Sequence, residues 1–247
     1  MTNEHAFEVQ QGVSTYLRAN AYARARNQEL QSKAHDSGEH ITIAFSREAG
    51  IDAGAYARAI GKQLGWPVWD HELLELVALR SKSKVSELET LDERHISWIQ
   101  ESMEAFLLLH TVNQHTFVRY LCEVMQDLAE MGNCLIVGRG APHILPQRST
   151  LKVRLVAPRE LRVANFRKQM GIADAALAAR ELDKIDRERV RFVTEHFHKD
   201  PLDPACYDVV LNISHFSQED CARLVLDFLH TLEHPTAAKL PRIAASA

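Results

Sequence analysis

Ile41-Thr-Ile-Ala-Phe45 runs into Ser46-Arg47-Glu48-Ala49-Gly50-Ile51-Asp52-Ala53-Gly54, and then into the Ala-rich segment Ala55 to Gly65. The β-branched apolar run reads as a strand, and the two glycines mark a short loop. Tyr56, Ala57, Ile60 and Leu64 recur at helical spacing as far as Gly65, a natural residue for closing a helix in the left-handed conformation. Strand, glycine loop and helix together present backbone N–H groups at a helix N-terminus, which favours a phosphate. Trp66-Pro67-Val68-Trp69-Asp70 follows as a second short strand ending in a carboxylate. A β–α–β unit this compact predicts a parallel sheet with a right-handed crossover.

The loop departs from the usual phosphate-binding pattern G-x-x-x-x-G-K-[ST], in which a lysine serves the β/γ-phosphates and a hydroxyl serves magnesium. The spacing from Gly50 to Gly54 is one residue short, and neither lysine nor Ser/Thr follows Gly54. The residues alone therefore leave two readings, a phosphate site or a plain tight βα turn.

A chain of 247 residues can bury a large core, as one domain or two. Its 46% hydrophobic and 25% charged residues place it with ordinary soluble globular proteins. A net charge of −4 argues against general nucleic-acid binding. Cys122, Cys134, Cys206 and Cys221 are far apart and lack C-x-x-C spacing, so no zinc site is expected and a reducing compartment is. The N-terminus has no basic-then-apolar leader and no apolar run reaches membrane-spanning length. The expectation is a cytoplasmic protein with no membrane partner.

Residues 1–39 are polar and helix-prone, and read as one helix over about 5–33 that ends at Asp36-Ser37-Gly38. Two roles stay open for it: an accessory helix on the body, or a homodimer contact. A helical region spans 71–132, with one helix marked by Ile96, Ile99, Met103, Phe106 and Leu107. Another is marked by Phe117, Leu121, Met125 and Leu128 and stopped by Gly132. Cys134-Leu-Ile-Val-Gly138 is a continuous apolar run, as for a strand buried on both faces, and it empties into Arg139-Gly140. A cation at that position sits where open α/β sheets bind ligands. Either an anionic ligand or an internal carboxylate must meet it.

Leu151–Val156 is a further strand and Pro158 opens the helix after it. On the helix from about Ala173 to His198, Arg180, Lys184, Arg187 and Arg191 share one face, with Asp183, Asp186, Glu188 and Arg189 beside or behind them. That face is either solvated or a mobile basic surface that closes over phosphates. His196-x-His198 lacks further ligands, so no metal is expected there. Tyr207–Asn212 is the last strand and Phe216–Leu232 the closing helix, with a disordered tail expected over 233–247. Five strands (41–45, 67–69, 134–138, 151–156, 208–212) separated by helices predict an α/β fold, a three-layer parallel five-stranded sheet.

Ile41-Thr-Ile, Ser46-Arg47-Glu48, Gly50, Gly54 and Leu64-Gly-Trp-Pro-Val-Trp-Asp70, taken in order with Ile136-Val-Gly-Arg-Gly140, Lys184-Ile-Asp-Arg-Glu-Arg189 and Tyr207-Asp208…Asn212…Ser214, resemble the cytidylate-kinase-like family of P-loop proteins. The resemblance covers about 40–232 and implies a P-loop nucleoside monophosphate kinase fold. It implies ATP with Mg²⁺ as donor and a CMP-like nucleoside monophosphate as acceptor, with 71–132 on the acceptor side and 173–200 as a lid. It assigns Ser46, Arg47, Glu48, Gly50, Asp52 and Gly54 to the donor phosphates. Asp70, Arg139 and Asp186 are assigned to the acceptor, and Arg139, Arg187 and Arg189 to catalysis.

Relatives usually carry a glycine-rich middle where this chain has Ile51-Asp52-Ala53. A carboxylate about 5 Å from a phosphate charge is repelled by about 3 kcal/mol at an effective dielectric near 20. Cytidylate kinases carry Gly-Arg-Asp where this chain has Gly138-Arg139-Gly140. Three functions are therefore open: a nucleoside monophosphate kinase, a catalytically silent nucleotide or anion sensor, and a ligand-free dimerising interaction protein.

Overall fold

Apolar runs too short for helices, each bounded by a glycine or a polar turn, form the strands of a five-stranded parallel sheet. The computed structural model describes residues 41–70, 72, 73, 76, 77 and 114–233. The expected N-terminal helix, the helix marked by Ile96 to Leu107 and the tail beyond Glu233 lie outside the described residues.

The chain runs β1 (Thr42–Arg47), α1 (Ala53–Leu64), β2 (Val68–Trp69), α2 (Gln114–Met131), β3 (Cys134–Val137) and the short α3 (Ala141–Ile144). It continues through β4 (Thr150–Val156), α4 (Arg159–Met170), α5 (Ala175–Phe197), β5 (Val209–Asn212) and α6 (Gln218–Glu233). The expected stops hold. Gly65 closes α1 in the left-handed conformation at φ 68°, and Gly132 follows α2 at φ 64°.

The strand order is β2-β3-β1-β4-β5, every pairing parallel. From β1 the chain crosses to β2 on one side, and from β3 it crosses past β1 to β4 on the other. Divergence of this kind between neighbouring strands opens a crevice at their carboxyl ends.

Alternation decides what faces what. Ile43, Phe45, Leu135, Val137, Leu151, Val153, Leu155, Val209 and Leu211 form one core with Ala57 and Ile60 of α1 and Ala222, Val225 and Leu229 of α6. Each large side chain buried this way contributes roughly 1.5–3 kcal/mol. Residues at the intervening positions, among them Ala44, Ser46, Lys152 and Arg154, point to the opposite face. A second cluster joins Phe166 of α4 to Ala178, Leu182 and Ile185 of α5, and Ala49 of the β1–α1 loop is packed into it.

Candidate functional site

The loop after β1 is tied to its own protein. Asp52 caps α1: its carboxylate accepts the Ala55 N–H at 2.9 Å, and Arg58 lies 3.7 Å away. The Ala49 N–H is donated to Asp186 of α5 at 2.7 Å, and the Glu48 N–H to the Leu155 carbonyl at 3.3 Å. Glu48 accepts the Ala157 N–H at 3.0 Å and pairs with Arg162 at 3.3 Å.

Arg162 is the centre of this arrangement. Only 8% exposed, it pairs with Asp186 at 2.6 Å and also donates to the Ala157 and Ala49 carbonyls. Gly50, at φ 80°, lies so close to the Arg162 carbonyl that any Cβ there would strike it. Gly54 makes room for a different group, since a Cβ on it would lie 2.6 Å from Asp70 Oδ2 and 3.3 Å from Asp52 Oδ1. Two carboxylates thus already meet the positive end of the α1 dipole.

The turn after β3 is built the other way. Gly138, Arg139 and Gly140 have φ of 78°, 50° and 78°, a left-handed run that turns the chain sharply into α3. Gly138 lets the Arg47 guanidinium lie across the turn, where a side chain would collide with Arg47 Nη1. Gly140 receives Phe197 from the end of α5, where Phe192 and Phe197 pack edge to face at 5.6 Å.

Arg189 reaches the same place from α5 and donates to the Arg47 carbonyl at 3.3 Å. It falls on the inner stripe of the helix, four residues after buried Ile185 and four before buried Val193. Arg180, Lys184, Arg187 and Arg191, which share a face by spacing, are the exposed ones. Of these, Arg187 and Arg191 border the mouth of the cavity, and Arg191 pairs with Glu195 at 3.1 Å.

Arg47, Arg139 and Arg189 therefore converge over the carboxyl ends of β1 and β3. Their side chains keep intermediate exposure because they border an open cavity rather than bulk solvent. Their charged heads are deeply desolvated. Burial, then repulsion from Arg47, pushes the Arg139 guanidinium down to about 10, with Asp70 opposing. Arg189 is pushed down to about 9 by burial and by Arg47 and Arg139, against Asp186 and Asp70. Burial lowers Arg47 as well, against Asp70 and Asp52. A guanidinium does not surrender its proton at neutral pH.

The cavity measures about 760 Å³, within the roughly 300–1,000 Å³ of small-molecule sites. Val137, Phe117 and Leu121 supply apolar wall, and Asp70, 8% exposed, supplies an acid. One cation in its wall was not anticipated from the sequence: Arg154 of β4. Its Nη1 donates to Ser46 Oγ at 3.0 Å and to Tyr207 OH at 3.3 Å. The strand alternation held the signal, because Lys152 and Arg154 interrupt an apolar strand at successive positions of one face.

The sequence-derived residues thus separate. Ser46, Arg47, Glu48, Asp70, Arg139, Asp186 and Arg189 all border one cavity, with exposed Arg187 beside them. Gly50 and Gly54 clear space for Arg162 and Asp70, and Asp52 caps α1. The two Asp186 oxygens go to Ala49 and Arg162.

The family model for the cytidylate kinase-like family matches residues 41–215. The chain belongs to the cytidylate kinase-like family. A curated cytidylate kinase from Methanopyrus kandleri is 30% identical over 104 residues, 38% of this chain and 53% of that protein, so the chain spans about half the length of this relative. An uncharacterized protein from Eubacterium ventriosum shares the fold with a TM-score of 0.59 at 18% identity, covering 78% of this chain and 99% of that one. A shikimate kinase from Bacteroides thetaiotaomicron superposes with a TM-score of 0.48 at 16% identity, over 77% of this chain and 98% of that one. Membership of this family points to a nucleotide-binding phosphotransferase. No helix among the described residues is long and apolar enough to cross a membrane.

Such families use ATP and Mg²⁺, and the loop after β1 does not fit that pair. Ala55 and Tyr56 stand where a lysine and a Ser or Thr would follow Gly54. The amides of Glu48, Ala49, Ala53 and Ala55 have acceptors within the protein. Among the described residues no group of three or more His, Cys, Asp or Glu side chains is placed to hold a metal.

Proposed function

We propose that this protein is a nucleotide-binding member of its phosphotransferase family, and that its cavity holds the phosphate of a CMP-like nucleoside monophosphate. The observation that carries this reading is the convergence of Arg47, Arg139 and Arg189, three desolvated guanidiniums, on one cavity beside Asp70. Guanidiniums bind phosphate in bidentate fashion, and a phosphate among them offsets both their mutual repulsion and their desolvation. Asp70 would face a sugar hydroxyl or a base amine. Arg187 would meet the ligand from the cavity mouth. Asp186, rather than touching the acceptor, would hold Arg162 and the loop in place.

Phosphoryl transfer from ATP is a second reading. The observation favouring it is Arg189, which brings the helix α5 into the same cavity; phosphoryl transfer depends on positioned cations more than on covalent chemistry. The unsuited loop favours binding without transfer.

Calorimetry of the full chain with CMP, dCMP, UMP and AMP, with and without ATP and Mg²⁺, separates the two. Binding of a monophosphate without conversion supports the silent form, and appearance of the diphosphate supports the kinase. If no nucleoside monophosphate binds, the reading falls.

A further inference from the structure

We infer that Arg154, held in place by the Ser46 and Tyr207 hydroxyls, forms a second anion subsite in the same cavity, one that takes a second phosphate-class group. The inference deepens the reading above and rests on it for the identity of the nucleotide alone. Arg154 is 8% exposed and lines the cavity, and no carboxylate pairs with it among the described residues. A guanidinium carries five N–H donors. Here Nη1 alone is engaged, by Ser46 Oγ and Tyr207 OH, while the Tyr207 ring lies 5.5 Å from the charge. The other donors stay available to a ligand.

The neighbouring carboxylates are committed elsewhere. Asp208 accepts the Lys152 N–H at 2.8 Å and the Gln147 side chain at 2.6 Å, and Asp200 accepts the Leu202 N–H at 2.8 Å. Burial first, and then the cations Lys152, Arg154 and Lys199, push His143 down to about 4, with Asp200 opposing. The hydroxyls position the guanidinium. Tyr207 spends its one hydrogen on the Pro201 carbonyl at 2.8 Å, so it is an acceptor towards Arg154. Ser46 accepts from Arg154 at 3.0 Å and lies 3.4 Å from the Tyr207 oxygen, so the two hydroxyls hold Nη1 between them.

The subsite is separate from the first. Ser46 and Arg154 are register partners on the face opposite the α1–α6 core, whereas Arg47 lies across the β3 turn. A phosphate-class anion could reach it on the same nucleotide, as a β-phosphate, or on a separate molecule.

Calorimetry with inorganic phosphate, CMP and CDP on the full chain tests this. The wild type is expected to bind two phosphates per chain, and one once saturated with CMP. Arg154→Met is expected to lose one of them while CMP affinity changes by less than about threefold, because its phosphate sits on the other arginines. A roughly tenfold loss for CDP in this variant puts the second group on the same nucleotide. A loss confined to phosphate uptake by the CMP-saturated protein puts it on a separate molecule. Either result supports the subsite.

Arg154→Lys keeps the cation without the fork and is expected to retain the second phosphate more weakly. It stands in should the Met variant fail a thermal-melting check. A single phosphate on the wild type, or an unchanged count in Arg154→Met, overturns the inference. If CMP fails to bind at all, the proposed function falls, and the phosphate count still decides the subsite.

Discussion

The two glycine-bearing turns at the carboxyl ends of neighbouring strands β1 and β3 have opposite uses. After β1, the loop spends its groups on the protein: Asp52 caps α1, the Ala49 amide goes to Asp186, and Arg162 locks Glu48 to Asp186. After β3, the left-handed run Gly138-Arg139-Gly140 removes side-chain bulk so that Arg47 and Phe197 can close in around Arg139. One turn is a structural joint and the other opens a charged cavity. On the proposed reading, anion affinity would rest on side-chain guanidiniums one strand away from the helix N-terminus that usually supplies it.

The largest effect expected from breaking this contrast is at the joint. Arg162→Met leaves Glu48 and Asp186 facing each other without their cation, and should destabilise the fold by about 3–5 kcal/mol. Urea denaturation measures it, and a loss below about 1 kcal/mol would deny Arg162 its central place. Next comes the cavity. Arg139→Ala should weaken CMP binding roughly tenfold or more, about 1.4 kcal/mol, with the fold retained. Calorimetry paired with a melting curve checks both halves of that expectation.

Asp52 tests whether the joint can be reopened. Asp52→Ala removes the cap of α1 and should cost about 1 kcal/mol, whereas Asp52→Asn keeps a capping oxygen and should cost less. If the loop amides can still turn towards a triphosphate, Asp52→Asn should also tighten ATP binding. No change in ATP affinity in a folded Asp52→Asn variant would mean the charge was not the obstacle.

The last effect, at His143, is read through pH. Its folded pKa of about 4 lies below the ordinary value near 6.5, so between those values the unfolded chain binds the extra proton. The stability tied to neutral His143 is complete above pH 6.5 and is lost as the pH falls towards 4. His143→Gln should flatten that part of the stability–pH curve, as read from melting temperature at successive pH values.

The sheet was legible because parallel strands buried on both faces must be continuous apolar runs, and Gly65 and Gly132 mark helix ends by conformation. Arg139 was legible too, being a cation at the end of such a run. The cations of α5 were read less well. Spacing groups Arg180, Lys184, Arg187 and Arg191 correctly, but a shared face does not say which way it points. The apolar stripe Ala178–Leu182–Ile185–Val193 does, and Arg189 lies on it. The role of Asp52 depends on the Ala55 amide and that of Asp186 on Ala49, 137 residues away in sequence, a partnership no local pattern encodes.

The bond between Ala49 and Asp186 has a kinetic consequence. Asp186 stands three residues before Arg189 on α5, so swinging the helix outward would withdraw Arg189 from the cavity and release the Ala49 amide in the same movement. The exchange of one backbone hydrogen with solvent then becomes a clock for ligand entry. It should slow when an anion holds Arg189 in place, and the slowing would be visible without labelling the ligand or the cavity.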